Sequence, residues 1–151
     1  MSMSKNNNEM TKERLAAYRS NKAEIRELSF RLENRWKDEN LIGNDTIFDY
    51  KKGYPMPQSV IGFDNERYER LQDRDLHRKE RLVKENKEIW EFVDSIQDSL
   101  VHRIFLMYFI EGDAPINQEM VANIVHLERS SVSKIITNFI EDSHNSHESH
   151  L

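Results

Sequence analysis

The chain has 151 residues, a net charge of −5, 32% charged residues, and only 4 Gly and 3 Pro. That balance suits one domain or two small ones, largely helical and with a modest core. The absence of cysteine excludes disulfides and thiolate metal sites, and the longest apolar run, Ile104 to Ile110, falls far short of the ~20 residues that a membrane-spanning helix needs. The N-terminus is polar and carries no signal-like apolar stretch, so a cytoplasmic protein with no membrane partner is expected.

In chain order, residues 1–10 are polar and are expected to be disordered. Thr11 then reads as a helix N-cap, with Arg14 where a capping box would place Glu. Leu15, Tyr18, Ile25, Leu28, Leu32 and Trp36 recur at spacings of three, four and seven, which predicts an amphipathic helix to about Asn40. Its narrow apolar stripe suits packing against one partner helix.

The stretch 41–64 breaks this pattern with Gly43, Gly53, Pro55, Pro57 and Gly62. Ile47, Phe48, Tyr50, Val60, Ile61 and Phe63 make it too apolar for a free linker, so an ordered connection docked on the helices is expected. Asp64 or Asn65 then caps a second long helix to about residue 97, with Glu66 in its first turn. Tyr68, Leu82, Ile89 and Ile96 share one heptad position, and Asp75 interrupts that series. Between Asp73 and Glu88 only Leu76, Leu82 and Val83 offer apolar burial. A helix with so sparse a stripe projects from its domain or zips against another long helix. The simplest arrangement packs 11–40 against 65–97, and a homodimer would supply further burial.

Around Asp98 the helix is expected to end or bend. Val101, Ile104, Phe105, Met107, Tyr108 and Phe109 form the densest apolar cluster in the chain, the core helix of a small C-terminal bundle. Gly112 suits its C-cap, and Asn117 caps the helix that follows. Residues 118–136 then read as two short helices joined by a tight turn. Met120, Val121, Ile124 and Val125 form one apolar face, Val132, Ile135, Ile136 and Phe139 another, and Leu127 plugs the corner. An ordinary helical hairpin shares that spacing. Ala122 at the crossing and a short Ser-rich second helix point instead to a helix-turn-helix, whose second helix enters the major groove of DNA.

Charge pulls the other way. From Asp98 to Asp142 there are three basic residues (Arg103, Arg129, Lys134) against seven acidic ones, a net of −4. Neutralisation of phosphates supplies much of the affinity for DNA, and an acidic module has little of it. Nine Lys/Arg precede residue 41 and eight lie between Asn65 and Glu88, but seven acids accompany each set. Such mixing usually marks a solvated helix face.

The run Ile-Gln-Asp-Ser-Leu-Val-His-Arg-Ile-Phe-Leu-Met-Tyr-Phe-Ile-Glu-Gly (96–112), followed by Gln-Glu-Met-Val-Ala, resembles region four of bacterial sigma factors and its phage relatives. The chain is most similar to the RinA/ArpU/LtrC-like late-gene regulators of phages that infect Gram-positive bacteria. The resemblance is more specific over about 60–139 than before it. The residues predict an all-α protein: long N-terminal helices, hairpin- or coiled-coil-like (11–97), a small helix-turn-helix domain (98–140) and a disordered tail (141–151). The resemblance implies the same layout of a long charged helical half followed by a sigma-like helix-turn-helix. It also implies activation of phage or prophage late genes through a site near the promoter.

Carried over by position, Gln118 begins the supporting helix, where a phosphate contact is common. Arg129, Ser130, Ser133 and Lys134 take the groove-facing positions, with Glu128, Ser131 and Thr137 beside them as candidate DNA-binding residues. Arg129 suits a bidentate pair with guanine, and the serines suit several bases. Two departures stand out. His126 occupies the place where a turn Gly is usual, so either it manages a strained backbone angle or the turn differs. Glu128 repels phosphate, although it can accept from a cytosine amine.

Enzyme readings find little support: there is no Gly-rich phosphate loop and no zinc-protease motif. His144, His147 and His150 have the spacing of a metal tract, but their Ser/Asn/Glu context reads as a polar tail. His77 and His102 read as helix-surface or interface residues. No catalytic residue, metal or cofactor is expected. The expected partners are double-stranded DNA, a second copy of the chain and host RNA polymerase. The competing reading is an interaction module that touches polymerase or another regulator and makes little DNA contact of its own.

Overall fold

The computed structural model describes residues 9–38, 48–57 and 65–149. Within them the protein is all-α, apart from one pair of two-residue antiparallel strands. Residues 1–8, the connector segments 39–47 and 58–64 (with Gly43, Ile47, Val60, Ile61, Gly62, Phe63 and the candidate cap Asp64), His150 and Leu151 lie outside the described residues. The chain divides into two units, Met1–Ser20 with Glu85–Leu151, and Asn21–Lys84. The expected division fell at 97/98, whereas here residues 98–140 share their unit with the start of the chain and with residues 85–97.

In the first unit, α1 (Lys12–Ala16) starts where Thr11 accepts a hydrogen bond from the Arg14 N–H at 3.1 Å. Arg14 cannot complete the capping box. Its guanidinium instead donates to both Glu85 carboxylate oxygens at 2.8 and 2.7 Å and to Glu88 at 2.8 Å. The single helix expected over 11–40 is broken at Ala17, whose N–H bonds to the Arg14 carbonyl at 3.1 Å, a tight i−3 bond, before α2 (Tyr18–Asp38) begins. Met10, expected within a disordered terminus, is only 7% exposed and belongs to the core.

The second long helix, α3 (Asn65–Asp94), ends three residues before the expected 97. Asp98 then caps α4 (Ser99–Phe105), its side chain accepting from the Val101 N–H at 3.1 Å. The apolar run does not continue as an α-helix. Leu106–Ile110 widen into a π turn, closed by Glu111 N–H on the Leu106 carbonyl at 2.8 Å. Arg19 closes off this end, donating to the carbonyls of Met107 (3.0 Å), Tyr108 (2.8 Å) and Glu111 (3.0 and 2.7 Å). Gly112 follows at φ +79°, a left-handed angle that suits glycine.

The core of this unit joins Leu15, Ile89 and Val93 to Ile104, Phe105, Phe109, Val121, Val132 and Ile136, all buried. Phe105 is its centre, with ring centroids 6.4 Å from Phe92, 5.4 Å from Phe109 and 5.3 Å from Phe139. Such tilted and edge-on pairs contribute about 0.5–1.5 kcal/mol each beyond their burial.

In the second unit, residues from 11–40 and 65–97 do meet, through hydrogen bonds from Arg35 to Gln72 and Asp75 and from Gln72 to Leu32, and Leu28, Leu32, Tyr68 and Leu82 are buried. Val83, expected to help, is 44% exposed. Polar groups fill the place that sequence left empty. Asp75, which breaks the apolar series, is buried with Arg35 and Gln72. Arg35 donates to the Asp75 carboxylate and the Gln72 side-chain oxygen, and Gln72 donates to the Leu32 carbonyl at 2.8 Å. Burial alone would raise the Asp75 carboxyl, but its hydrogen bond with Arg35 and the charges of Arg35 and Arg31 hold it below the usual carboxylate range.

The described part of the connector is ordered and docked, as its composition suggested. Strands β1 (Phe48–Asp49) and β2 (Met56–Pro57) pair antiparallel, with Phe48 opposite Pro57 and Asp49 opposite Met56. Gly53 turns between them at φ +84° and lies against Leu76. Tyr54 is fully buried and donates to Asp73, and Tyr68 donates to the Pro55 carbonyl at 2.8 Å. Burial pushes the Tyr68 hydroxyl up to about 12. The Trp36 and Phe48 rings meet at 5.0 Å.

The buried ion pair sets a stability prediction. Arg35→Ala leaves a buried carboxylate without its partner and should cost about 3–5 kcal/mol, whereas Arg35→Met with Asp75→Leu should cost far less. Because the folded Asp75 carboxyl lies below its unfolded value of about 3.9, the pair's contribution is complete above that pH and is lost as pH falls through the folded value. Denaturant melts of the three proteins between pH 3 and 7 test both points. Equal losses for the single and double variants would refute the assignment.

Candidate nucleic-acid interface

Helix α5 (Gln118–Val125) begins at Asn117, whose side chain accepts from the Met120 N–H at 2.8 Å. Val121, Ala122 and Val125 are buried, and Ala122, 2% exposed, stands in the close-packed core as its size predicted. The expected face is corrected at two positions. Met120 and Ile124 are 50% and 49% exposed, because at 100° per residue the face that carries 121, 122 and 125 to the core turns 120 and 124 to its side.

The turn meets the constraint that sequence identified. His126 stands in the left-handed region at φ 62°, ψ 42°, the single non-glycine residue at positive φ among the described residues. Its N–H bonds to the Ala122 carbonyl, which also accepts from the Leu127 N–H at 2.9 Å. Histidine enters this region more readily than most side chains, though less readily than glycine. Leu127 packs on the core as a partly buried corner residue.

The second helix, α6 (Arg129–Ser149), is 21 residues long and not short. The expected disordered tail is therefore corrected over 141–149. Burial of Ile140 anchors the extension, and Ser143 donates to the Ile140 carbonyl at 2.6 Å. His144 contacts the Met10 carbonyl, and its other ring nitrogen lies 3.7 Å from Glu9. Among the described residues, no group of three or more His, Asp or Glu is placed to hold a metal ion, and no helix is long and apolar enough to cross a membrane.

Burial of Val132, Ile136 and Ile140 fixes the rotation of α6. Ser130, Lys134 and Thr137 are then exposed and Ser133 half-buried, at the spacing i, i+3, i+4, i+7 of one helix face. Arg129 is exposed at the first position of the helix. Ser131 is half-buried and turned away from this row, so it is not brought together with the others. Glu128 is exposed just before the helix, and its backbone carbonyl accepts from the N–H groups of Ser131 (3.0 Å) and Val132 (3.1 Å).

Gln118, Arg129 and Ser133 line one open groove together with Lys12, Tyr108, Asn117 and Glu119. Lys12 was not legible as a site residue. It lies more than a hundred positions away in sequence, on a helix whose charges are mixed. In that groove it adds a second cation to Arg129, beside the one acid there, Glu119. The groove thus carries two cations against one acid, although the surrounding stretch 98–142 is acidic.

No family model, no curated protein and no solved structure matches this chain.

The turn angle yields a prediction for the scaffold. His126→Gly should raise stability by about 1 kcal/mol, since glycine adopts the left-handed region without a Cβ penalty, and His126→Val should lower it. Thermal melts followed by circular dichroism would show the two variants moving in opposite directions. Coincident melts would mean that the turn does not hold this angle in solution.

Proposed function

We propose that this chain is a sequence-specific DNA-binding transcription regulator. In this reading it activates phage or prophage late genes from a promoter-proximal site, in the cytoplasm of the bacterial host, and its role is binding rather than catalysis. The observation that carries the reading is the row Ser130, Ser133, Lys134 and Thr137 on one face of α6, with Arg129 exposed at its first position, behind a left-handed turn. A helix whose opposite face is locked in a core presents such a row rigidly, as groove recognition requires. Arg129 pairs with a guanine edge, the hydroxyls of Ser130, Ser133 and Thr137 take neighbouring bases or phosphate, and Gln118 and Lys12 hold the backbone. Glu128 selects a cytosine amine.

With so few cations on this surface, one copy binds weakly, and a homodimer reading two half-sites multiplies the affinity. The likeness of 96–122 to sigma region four supports the assignment to late-gene control. A second reading, an interaction module for RNA polymerase or another regulator, is favoured by the half-exposed Met120 and Ile124 on α5. Adjacent apolar side chains on an outer face suit a protein partner better than a phosphate backbone.

The two readings diverge on Arg129. Arg129→Ala should weaken operator binding by about 1–3 kcal/mol and relax preference at one base pair. Gel shifts at fixed, stated salt with DNA upstream of the gene measure this. Unchanged affinity and preference would reject the recognition helix. Absence of DNA binding at every salt concentration would favour the interaction module.

A further inference from the structure

Read along the sequence, the charges of 65–88 alternate and look like an ordinary solvated face. In the second unit they are sorted. Arg74, His77, Arg78 and Arg81 recur at i, i+3, i+4 and i+7 on one face of α3, and Arg31 of α2 faces them across an open cleft of about 500 Å³. Two carboxylates, Glu24 and Asp75, share the cleft. Asp73, the acid next to Arg74, is engaged by the Tyr54 hydroxyl.

The acids do not balance the guanidiniums. Asp75 is already taken from beneath by buried Arg35, so the charge it shows to the cleft is largely cancelled. Yet Arg74 (3.2 Å) and Arg31 (3.7 Å) still crowd round the same carboxylate. Glu24 binds Arg78 through two bonds, at 2.8 and 3.0 Å. The surface that remains carries four guanidiniums against one effective carboxylate. Arg31, Arg74 and Arg78 keep 44%, 63% and 45% of their side-chain surface exposed, so their outer edges face solvent. Arg74 and Arg81 are seven residues apart, roughly 10 Å along the helix, which leaves room for more than one anionic group.

We propose that this arginine cleft is a second nucleic-acid contact, which takes successive backbone phosphates of a duplex without reading bases. Guanidinium groups match phosphate oxygens bidentately, and a row of them on a rigid helix tracks a backbone better than scattered lysines do. The cleft would supply the phosphate neutralisation that the acidic stretch 98–142 lacks. It rests on the DNA-binding reading above only in naming a duplex as partner.

The test is fluorescence anisotropy of the full chain on labelled operator and random-sequence duplexes across a salt series. Arg74→Gln with Arg81→Gln, both on the surface, should flatten the plot of log affinity against log salt by about two in slope, on both duplexes, with base preference unchanged. Glu24→Gln, which removes the effective carboxylate, should tighten binding to both. Melting curves for each variant confirm that it is folded. An unchanged slope in the double variant overturns the proposal, even if Arg129→Ala still alters base preference. Conversely, a lost slope with an inert Arg129→Ala upholds the cleft and rejects α6 as reader. Polyglutamate that displaces the duplex as well as unlabelled random DNA does, at equal charge, overturns it in favour of an acidic protein partner. So does failure of the wild-type chain to bind any duplex at low salt.

Discussion

Phe105 is the side chain on which the packing of the C-terminal helices depends. It is fully buried at the end of α4 and meets Phe92 of α3, Phe109 of the π turn and Phe139 of α6. Two short helices joined by a tight turn have too little apolar surface to bury by themselves. Here the remaining faces are covered by Met10 and Leu15 from the start of the chain and by Ile89, Val93 and Ile96 from the end of α3 and the turn after it. The rotation of α6, and hence which residues it shows to solvent, is set by that shared core. The π turn belongs to the same solution. By widening the helix it places both Phe109 and Ile110 in the core, and the carbonyls it releases are taken by Arg19. Backbone acceptors freed from a regular ladder need such a donor, and one planar guanidinium reaches three of them.

The second unit relies on a different principle. Its helix pair is stitched by Arg35, Asp75 and Gln72 where apolar residues would ordinarily meet. Burying an ion pair gains little net stability, since desolvation offsets most of the attraction. What it adds is register. Sliding one helix by a turn would bury a guanidinium with no acceptor and a carboxylate with no donor, at a cost of several kcal/mol. Tyr54 and Tyr68 extend the same network to the connector, so the strand pair is tied to the helices by hydroxyls as well as by packing.

Charge has a similar logic in both units. Along the chain, acids and bases alternate. In space, buried Asp75 and half-buried Asp73 are engaged by Arg35 and Tyr54, and arginines are left outermost. Around α6 the reverse holds: Lys12 arrives from a distant segment to offset nearby acids. A net of −5 therefore says little about any one face. The proposed division of labour follows from this, with a lightly charged helix to read bases and an arginine-rich surface elsewhere to hold phosphate.

Sequence alone determined the helical class, the Thr11 and Asn117 caps, the break near Asp98, the burial of Ala122 and the unusual demand placed on His126 in the turn. Each of these depends on residues within a turn or two of one another, where periodicity and capping chemistry act directly. It also located the row on α6, because Val132 and Ile136 define that helix's inner face locally. Tertiary structure alone decided the burial of Met10, the exposure of Met120 and Ile124, and the continuation of α6 past Ile140. It likewise decided the arrival of Lys12 beside Arg129, the burial of Asp75 and the gathering of Arg31 with Arg74, Arg78 and Arg81. These depend on which distant segment covers a surface and on which partner takes a charge. A pattern of polar and apolar letters is silent on both, because an Asp facing water and an Asp facing a buried arginine are written alike.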